Sequence, residues 1–178
     1  TLSIDREGRI EELGCSLAVG ADGVWSTLRA LGGQERQSRY SVYIAWRAML
    51  HPATMTEDTD GTVPPNDRVT AWLHPGFHLV AYPVRAGDAI NLVAVTRAPE
   101  MTRRWSNTDD LSRLTGVMGG ASPALLRLVQ AADRWTTWPI HEVPPGETWT
   151  SEAGIALIGD AAHAMSPYAA QGAAMAIE

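Results

Sequence analysis

Hydrophobic and polar positions alternate in short runs at both ends of the chain and in a longer series through its middle. Leu2 to Ile4 alternates, Asp5-Arg6-Glu7-Gly8 supplies a turn, and alternation resumes at Arg9, which predicts a hairpin. Ser16 to Gly20 is an apolar run ending at a glycine. A short helix over 26–31 follows, stopped by Gly32-Gly33. Tyr40 to Leu50, rich in β-branched and aromatic residues, predicts a strand, and 52–67 reads as a loop. Strands over 69–73, 78–84 and 89–96 then form a meander, with turns at His74-Pro75-Gly76 and Ala86-Gly87-Asp88. Thr108 or Asp109 can cap one helix. Ser122-Pro123 opens another that runs to about Ala132. A strand over 135–143 ends at Pro144-Pro145, Ile155 to Ile158 is a buried strand entering a glycine turn, and a last helix opens near Gln171-Gly172.

This order predicts an α/β (α+β) fold. Both chain ends contribute to one partial, Rossmann-like nucleotide-binding unit, and an antiparallel sheet is inserted between them. The expected division is 1–33, 34–149 and 150–178. The chain opens at Thr1 and stops at Glu178 inside a young helix, so it reads as an internal piece of a longer protein.

Composition narrows the function. With 178 residues and 45% apolar content, the chain can build a real core. A net charge of −6 without a basic run argues against nucleic-acid and anionic-membrane partners. No apolar run is long enough for a membrane span. A single cysteine, Cys15, rules out an internal disulfide and points to a reducing compartment, the cytoplasm. The histidines lack ligand spacing, so no metal is expected. The seven tryptophans are scattered and suit core packing.

Two stretches carry candidate chemistry. In LAVGADGVWSTLR, residues 17–29, an apolar strand runs into Ala21-Asp22-Gly23 and a helix opens near Ser26. Gly23 permits a tight turn. Asp22 sits at the carboxyl end of a strand, where open α/β sheets bind ligands, and can accept from ribose hydroxyls. Arg29 can face a phosphate. The same stretch reads equally as a plain strand–turn–helix with Arg29 in solvent. In IALIGDAAHAMSPYAAQGAAMAIE, residues 155–178, a strand ends at Gly159-Asp160, small residues follow, and Pro167 precedes Gln171-Gly172. Gly159 admits a close ligand, and Asp160 offers acceptors to a polyol. The small residues through Ala173 and Ala174 let a planar ring lie against free amides at a helix start. That pattern is too particular for an ordinary small-residue helix.

These stretches resemble the DG and GD motifs of the class A flavoprotein aromatic hydroxylases, and VYIAWRAML with FHLVAYPVRAGDAINLVAV is similar to their salicylate hydroxylase-like branch. The resemblance covers nearly the whole chain and implies an FAD-dependent monooxygenase. NAD(P)H would reduce FAD, oxygen would add at flavin C4a, and the hydroperoxide would hydroxylate a small aromatic ring. It implies that Asp160 binds the ribityl chain. Gly159, Pro167 and Gln171 to Ala174 would lie by the isoalloxazine, and Asp22, Gly23 and Arg29 would serve the FAD and NAD(P)H side. Two departures stand out. The family's GxGxxG turn is absent, and Ala174 stands where Asn is frequent.

His78 and Tyr82, four apart on a strand, point to one face. In related pyridine- and benzoate-type hydroxylases a His and a Tyr at this spacing line the substrate pocket. The resemblance therefore implies that they bind or deprotonate a phenol. An ordinary half-buried sheet face remains an equal reading. Trp46 and Arg47 can reach the same region, with their faces undecided. His51, His74 and His141 read as surface or turn residues, and His163 as packing beside the second motif. Two other functions stay open: a related flavoprotein acting on a quinone, antibiotic or isoprenoid, and an inactive piece that only binds or supports.

Overall fold

The computed structural model describes residues 1–33, 37–51, 63–99, 107–108, 111–132, 134–145, 148–169 and 172–177. The chain divides into two compact units, Thr1–Ser41 with His141–Glu178, and Val42–Ile140. The sequence pattern predicts divisions at 33/34 and 149/150.

The first unit opens with the predicted hairpin, β1 (Leu2–Arg6) against β2 (Arg9–Leu13), in register from Leu2↔Leu13 to Arg6↔Arg9. Its two-residue turn holds Glu7 and Gly8 at φ 54 and 85, as a right-twisted hairpin requires. Asp5 Oδ1 accepts from the Gly8 amide at 2.7 Å.

Its second sheet is small and mixed. β3 (Ala18–Gly20) leads through a loop into α1 (Thr27–Leu31). At the far end of the chain, β10 (Thr150–Ser151) turns antiparallel into β11 (Ile155–Leu157). β11 then pairs parallel to β3, with Ile155 opposite Ala18 and Leu157 opposite Gly20. Ala18, Ile155, Leu157, Ala161 and Ala162 form the core under this sheet. Gly20 has no room for a side chain, since a Cβ would stand 2.7 Å from Leu157 Cδ2 and 3.1 Å from Leu28 Cβ. Two short helices end the unit, α4 (Asp160–His163) and α5 (Gly172–Ile177), with a 3-10 turn at Pro167–Ala169 between them.

The second unit is built on a six-stranded sheet in the order β5-β6-β7-β4-β9-β8. β4 (Arg39–Leu50) enters from the first unit, and its ladder with β7 (Ala89–Arg97) starts at Tyr43, just after Val42 at φ 63. A β-branched residue in the left-handed region marks a strained kink. The predicted meander is present as β5 (Thr70–His74), β6 (Phe77–Val84) and β7, all antiparallel. His74, expected in the turn, is instead the last residue of β5 and braces the Pro75-Gly76 turn after it: its Nδ1 accepts from Gly76 N at 3.1 Å, and its ring stacks on Phe77.

One face of this sheet is dry. Ile44, Trp46, Ala48 and Leu50 of β4, Leu79 and Ala81 of β6, and Leu92 and Ala94 of β7 are all buried. The helices α2 (Leu111–Val117) and α3 (Pro123–Ala131) add buried Leu114, Leu125, Leu128 and Val129. Arg113 of α2 lies over the Trp46 ring at 5.9 Å. The predicted cap of α3 is present, with Ser122 Oγ accepting from Leu125 N at 3.2 Å and Pro123 next in line. Thr108, expected as a helix cap, instead lies in the short strand β8 (Asn107–Thr108), which pairs with β9 (Thr136–Glu142). Asp109 and most of the expected 52–67 loop lie outside the described residues.

Candidate functional site

The parallel pairing of β3 and β11 decides the site. Parallel strands end at the same edge, so the loop after Gly20 and the turn after Leu157 leave the sheet side by side. Ile158 N continues the ladder by donating to Gly20 O at 2.9 Å. Residues more than a hundred positions apart thus share the carboxyl edge of one sheet, where α/β folds bind ligands.

In the first loop, Asp22 supports the start of α1 from beyond its N-cap residue, Ser26. Its carboxylate accepts from Ser26 Oγ at 2.5 Å, Thr27 N at 2.7 Å and Leu28 N at 3.1 Å. Ser26 Oγ in turn accepts from Arg29 N at 2.9 Å. Burial pushes the Asp22 carboxyl up, but the bonds from Ser26 and the two amides together outweigh it and hold the group below its ordinary value. Gly23 turns the chain at φ 80. Arg29 is 4% exposed, and its two terminal nitrogens donate to Val24 O at 2.6 Å and Ala161 O at 2.8 Å. Its guanidinium is committed to clamping the first loop to α4.

The second turn is shaped by Gly159, at φ 59 and ψ −143, a conformation nearly confined to glycine. Asp160 begins α4 and is exposed, and among the described residues its carboxylate has no hydrogen-bond partner. Ala161 and Ala162 are buried in one cluster with Ala18 of β3 and with Ile155 and Leu157 of β11. The segment after α4 is pinned twice: Val143 N donates to Ala164 O at 2.8 Å, and Ser166 Oγ donates to a Glu142 carboxylate oxygen. His163 packs near Trp149, and its buried Nδ1 has no hydrogen-bond partner among the described residues.

These segments enclose a cleft of about 720 Å³, within the usual range for small-molecule sites. Ala21 and Gly23 line it from the first loop, Ile158, Gly159 and Asp160 from the second turn, and Met165, Pro167, Gly172 and Ala173 from the following segment. The lining is mainly apolar, with one unpaired carboxylate at its edge.

Over its whole length, residues 1–178, the chain matches the family model described as an FAD binding domain. It is a member of the FAD-binding-domain family. Among curated relatives it is 34% identical to the 6-hydroxynicotinate 3-monooxygenase of Bordetella bronchiseptica, over 97% of this chain and 43% of that protein. It is 33% identical to the 3-hydroxybenzoate 6-hydroxylase of Klebsiella oxytoca, over 91% of this chain and 39% of that protein. The chain therefore spans less than half the length of these relatives. Among solved structures, a salicylate hydroxylase substrate complex superposes with a TM-score of 0.77 at 25% identity, covering 94% of this chain and 43% of that one. Klebsiella pneumoniae HpxO complexed with FAD and uric acid gives 0.72 at 26% identity, covering 90% and 40%.

The FAD-binding-domain cleft brings together six residues singled out from sequence: Gly23, Gly159, Asp160, Pro167, Gly172 and Ala173. Asp22, Arg29 and Ala174 do not line it, and Gln171 lies outside the described residues. Ala21, Ile158 and Met165 were missed. Ile158 left a signal, since the alternation of buried Ile155 and Leu157 turns the next residue off the core face, where it is 49% exposed. The features suit a flavin: glycines where backbone must approach, apolar walls for a ring, and a free acceptor for a polyol.

In the second unit, His78 and Tyr82 lie on one face of β6, both half-buried, with Leu79 and Ala81 on the opposite, buried face. Burial holds the His78 imidazole below its ordinary value, so it is neutral at neutral pH.

Proposed function

We propose that this chain is part of an FAD-dependent monooxygenase that hydroxylates a small aromatic ring with NAD(P)H and oxygen. The observation that carries the reading is the convergence of both motifs on the carboxyl edge of the β3–β11 pair, around a cleft with one unpaired carboxylate. Bound FAD would accept a hydride from NAD(P)H and activate oxygen.

The chain's own residues would do the rest. Asp160 would accept hydrogen bonds from the ribityl hydroxyls. Gly159 would let that chain approach the backbone. Ile158, Met165 and Pro167 would keep water from the ring, and Gly172, Ala173, Ala174 and Gln171 would present the start of α5 to it. Asp22, Gly23 and Arg29 would serve cofactor binding by holding the first loop in shape. His78, neutral in the working range, would take the phenolic proton of the substrate, and Tyr82 would donate to or orient the same hydroxyl. A lone Cys15 suits the cytoplasm as the compartment.

The test uses the full-length protein. It should purify with flavin absorbance, oxidise NAD(P)H faster when a phenolic ring is added, and transfer one atom of labelled oxygen into the ring. A protein that takes up no FAD, or that binds FAD and labels no ring, would overturn the proposal.

A further inference from the structure

Residues 164–166 belong to no helix or strand, yet Met165 and the adjoining Pro167 line the cleft. A segment without a ladder of its own keeps its shape through bonds to its neighbours. Here those bonds come from the end of β9, a stretch outside both sequence motifs. Val143 N donates to Ala164 O at 2.8 Å. Ser166 Oγ, on the residue between the two that line the cleft, donates to a Glu142 carboxylate oxygen.

The same stretch also meets the first loop. Val143 and Ala164 are buried in one cluster with Val24, the neighbour of cleft-lining Gly23. His141 sets its ring edge-on to Trp25 at 5.3 Å and tilted to Tyr40 at 5.6 Å. Three consecutive residues, His141 to Val143, thus touch both the first loop and the segment after α4.

Stability does not account for Glu142. Its side chain is half-buried, and among the described residues Ser166 is its one hydrogen-bond partner. Taking a carboxylate partly out of water costs free energy, and one hydroxyl returns little of it. What the bond does supply is position. It fixes Ser166, and with it the lining residue on either side. Pro167 has a locked φ, so the placement of Ser166 carries directly into the 3-10 turn at Pro167–Ala169.

We infer that Glu142 is a positioning residue for the flavin, holding the Met165–Pro167 wall of the cleft in its binding shape through the Ser166 hydroxyl. This rests on the flavin reading and adds to it a residue that neither motif contains.

The test uses the full-length protein, stripped of flavin and titrated with FAD. Glu142→Ala, Ser166→Ala, the double variant and Glu142→Gln are compared with the parent. Each single alanine variant should raise the FAD dissociation constant roughly three- to tenfold and shift the visible absorption and circular dichroism bands of the bound flavin. The double variant should do no more than either single one, since both remove the same bond. Glu142→Gln keeps an acceptor for Ser166 and should return most of the affinity and the parent bands. A role confined to stability gives a different pattern: an earlier thermal melt with the parent's FAD affinity and flavin bands. That pattern overturns the inference, and so do additive losses in the double variant. If Glu142→Ala fails to fold, Ser166→Ala, which deletes a hydroxyl alone, decides: parent-like affinity and bands overturn the inference. When the parent takes up FAD and the variants match it, the positioning role alone falls. A parent that takes up no FAD overturns the flavin reading as well.

Discussion

Replacing Asp160 or Asp22 by alanine removes a carboxylate from the same sheet edge, and the two losses should be felt in different places. Asp160 makes no hydrogen bond within the described protein and is exposed, so Asp160→Ala should change folding stability by less than about 0.5 kcal/mol. It lines the cleft, where a hydrogen bond to a charged acceptor contributes about 1.5–3 kcal/mol. FAD affinity should then fall roughly ten- to a hundred-fold. Asp22 is already engaged by Ser26 Oγ and by the amides of Thr27 and Leu28. Because it is exposed, water replaces much of what is lost, and a helix-cap deletion of about 0.5–2 kcal/mol is the right scale. For a chain of this size that lowers Tm by roughly 1 to 8 °C.

The Asp22 effect should also depend on pH. Its folded carboxyl titrates below the ordinary 3.8. The stability it contributes is complete above that value and is lost as pH falls through the depressed one. The parent and Asp22→Ala should therefore differ fully at pH 7 and converge below about pH 3.8. Thermal melts across this range and FAD titration of both variants provide the assay. If Asp160→Ala melts early with unchanged FAD affinity, or Asp22→Ala melts with the parent at pH 7, the division of labour argued here is wrong.

Three further outcomes are expected. Gly154→Ala should cost roughly 1–3 kcal/mol in urea unfolding, because Gly154 sits at φ 75 and a Cβ would stand 2.9 Å from the backbone oxygen of Ser16; an unchanged midpoint would refute this. His78→Ala and Tyr82→Phe in the full-length protein should slow ring hydroxylation, by about 10²–10⁴ for loss of the base, while flavin content stays at the parent level; product, peroxide and flavin measured together decide it. The His78 imidazole should titrate below 6.5 by NMR, and the stability of the parent should fall as pH drops from 6.5 towards that lowered value, a fall that His78→Gln should reduce.

Much of this protein could be read from its residues because the physics involved is local. The hairpin at 2–13, the strand at 40–50, the meander and the Ser122-Pro123 helix start follow from alternation, turn residues and caps, each acting over a few positions. Gly159-Asp160 announced itself because only glycine suits that backbone, and a carboxylate beside it is otherwise unexplained. Short elements such as β8, β10 and α4 were missed, since two to four residues carry too little pattern to register. Tertiary structure alone decided which carboxylate is free. Asp22 and Asp160 look alike in sequence, and only the position of α1 fills one with donors and leaves the other open. It decided that Arg29 is buried against the Ala161 carbonyl, a partner 132 positions away. It also parted Trp46 from Arg47. A strand sends successive side chains to opposite faces, and which face is the core is set by the helices that pack on it. Trp46 therefore lies buried under Arg113, and Arg47 reaches out beside Asn91.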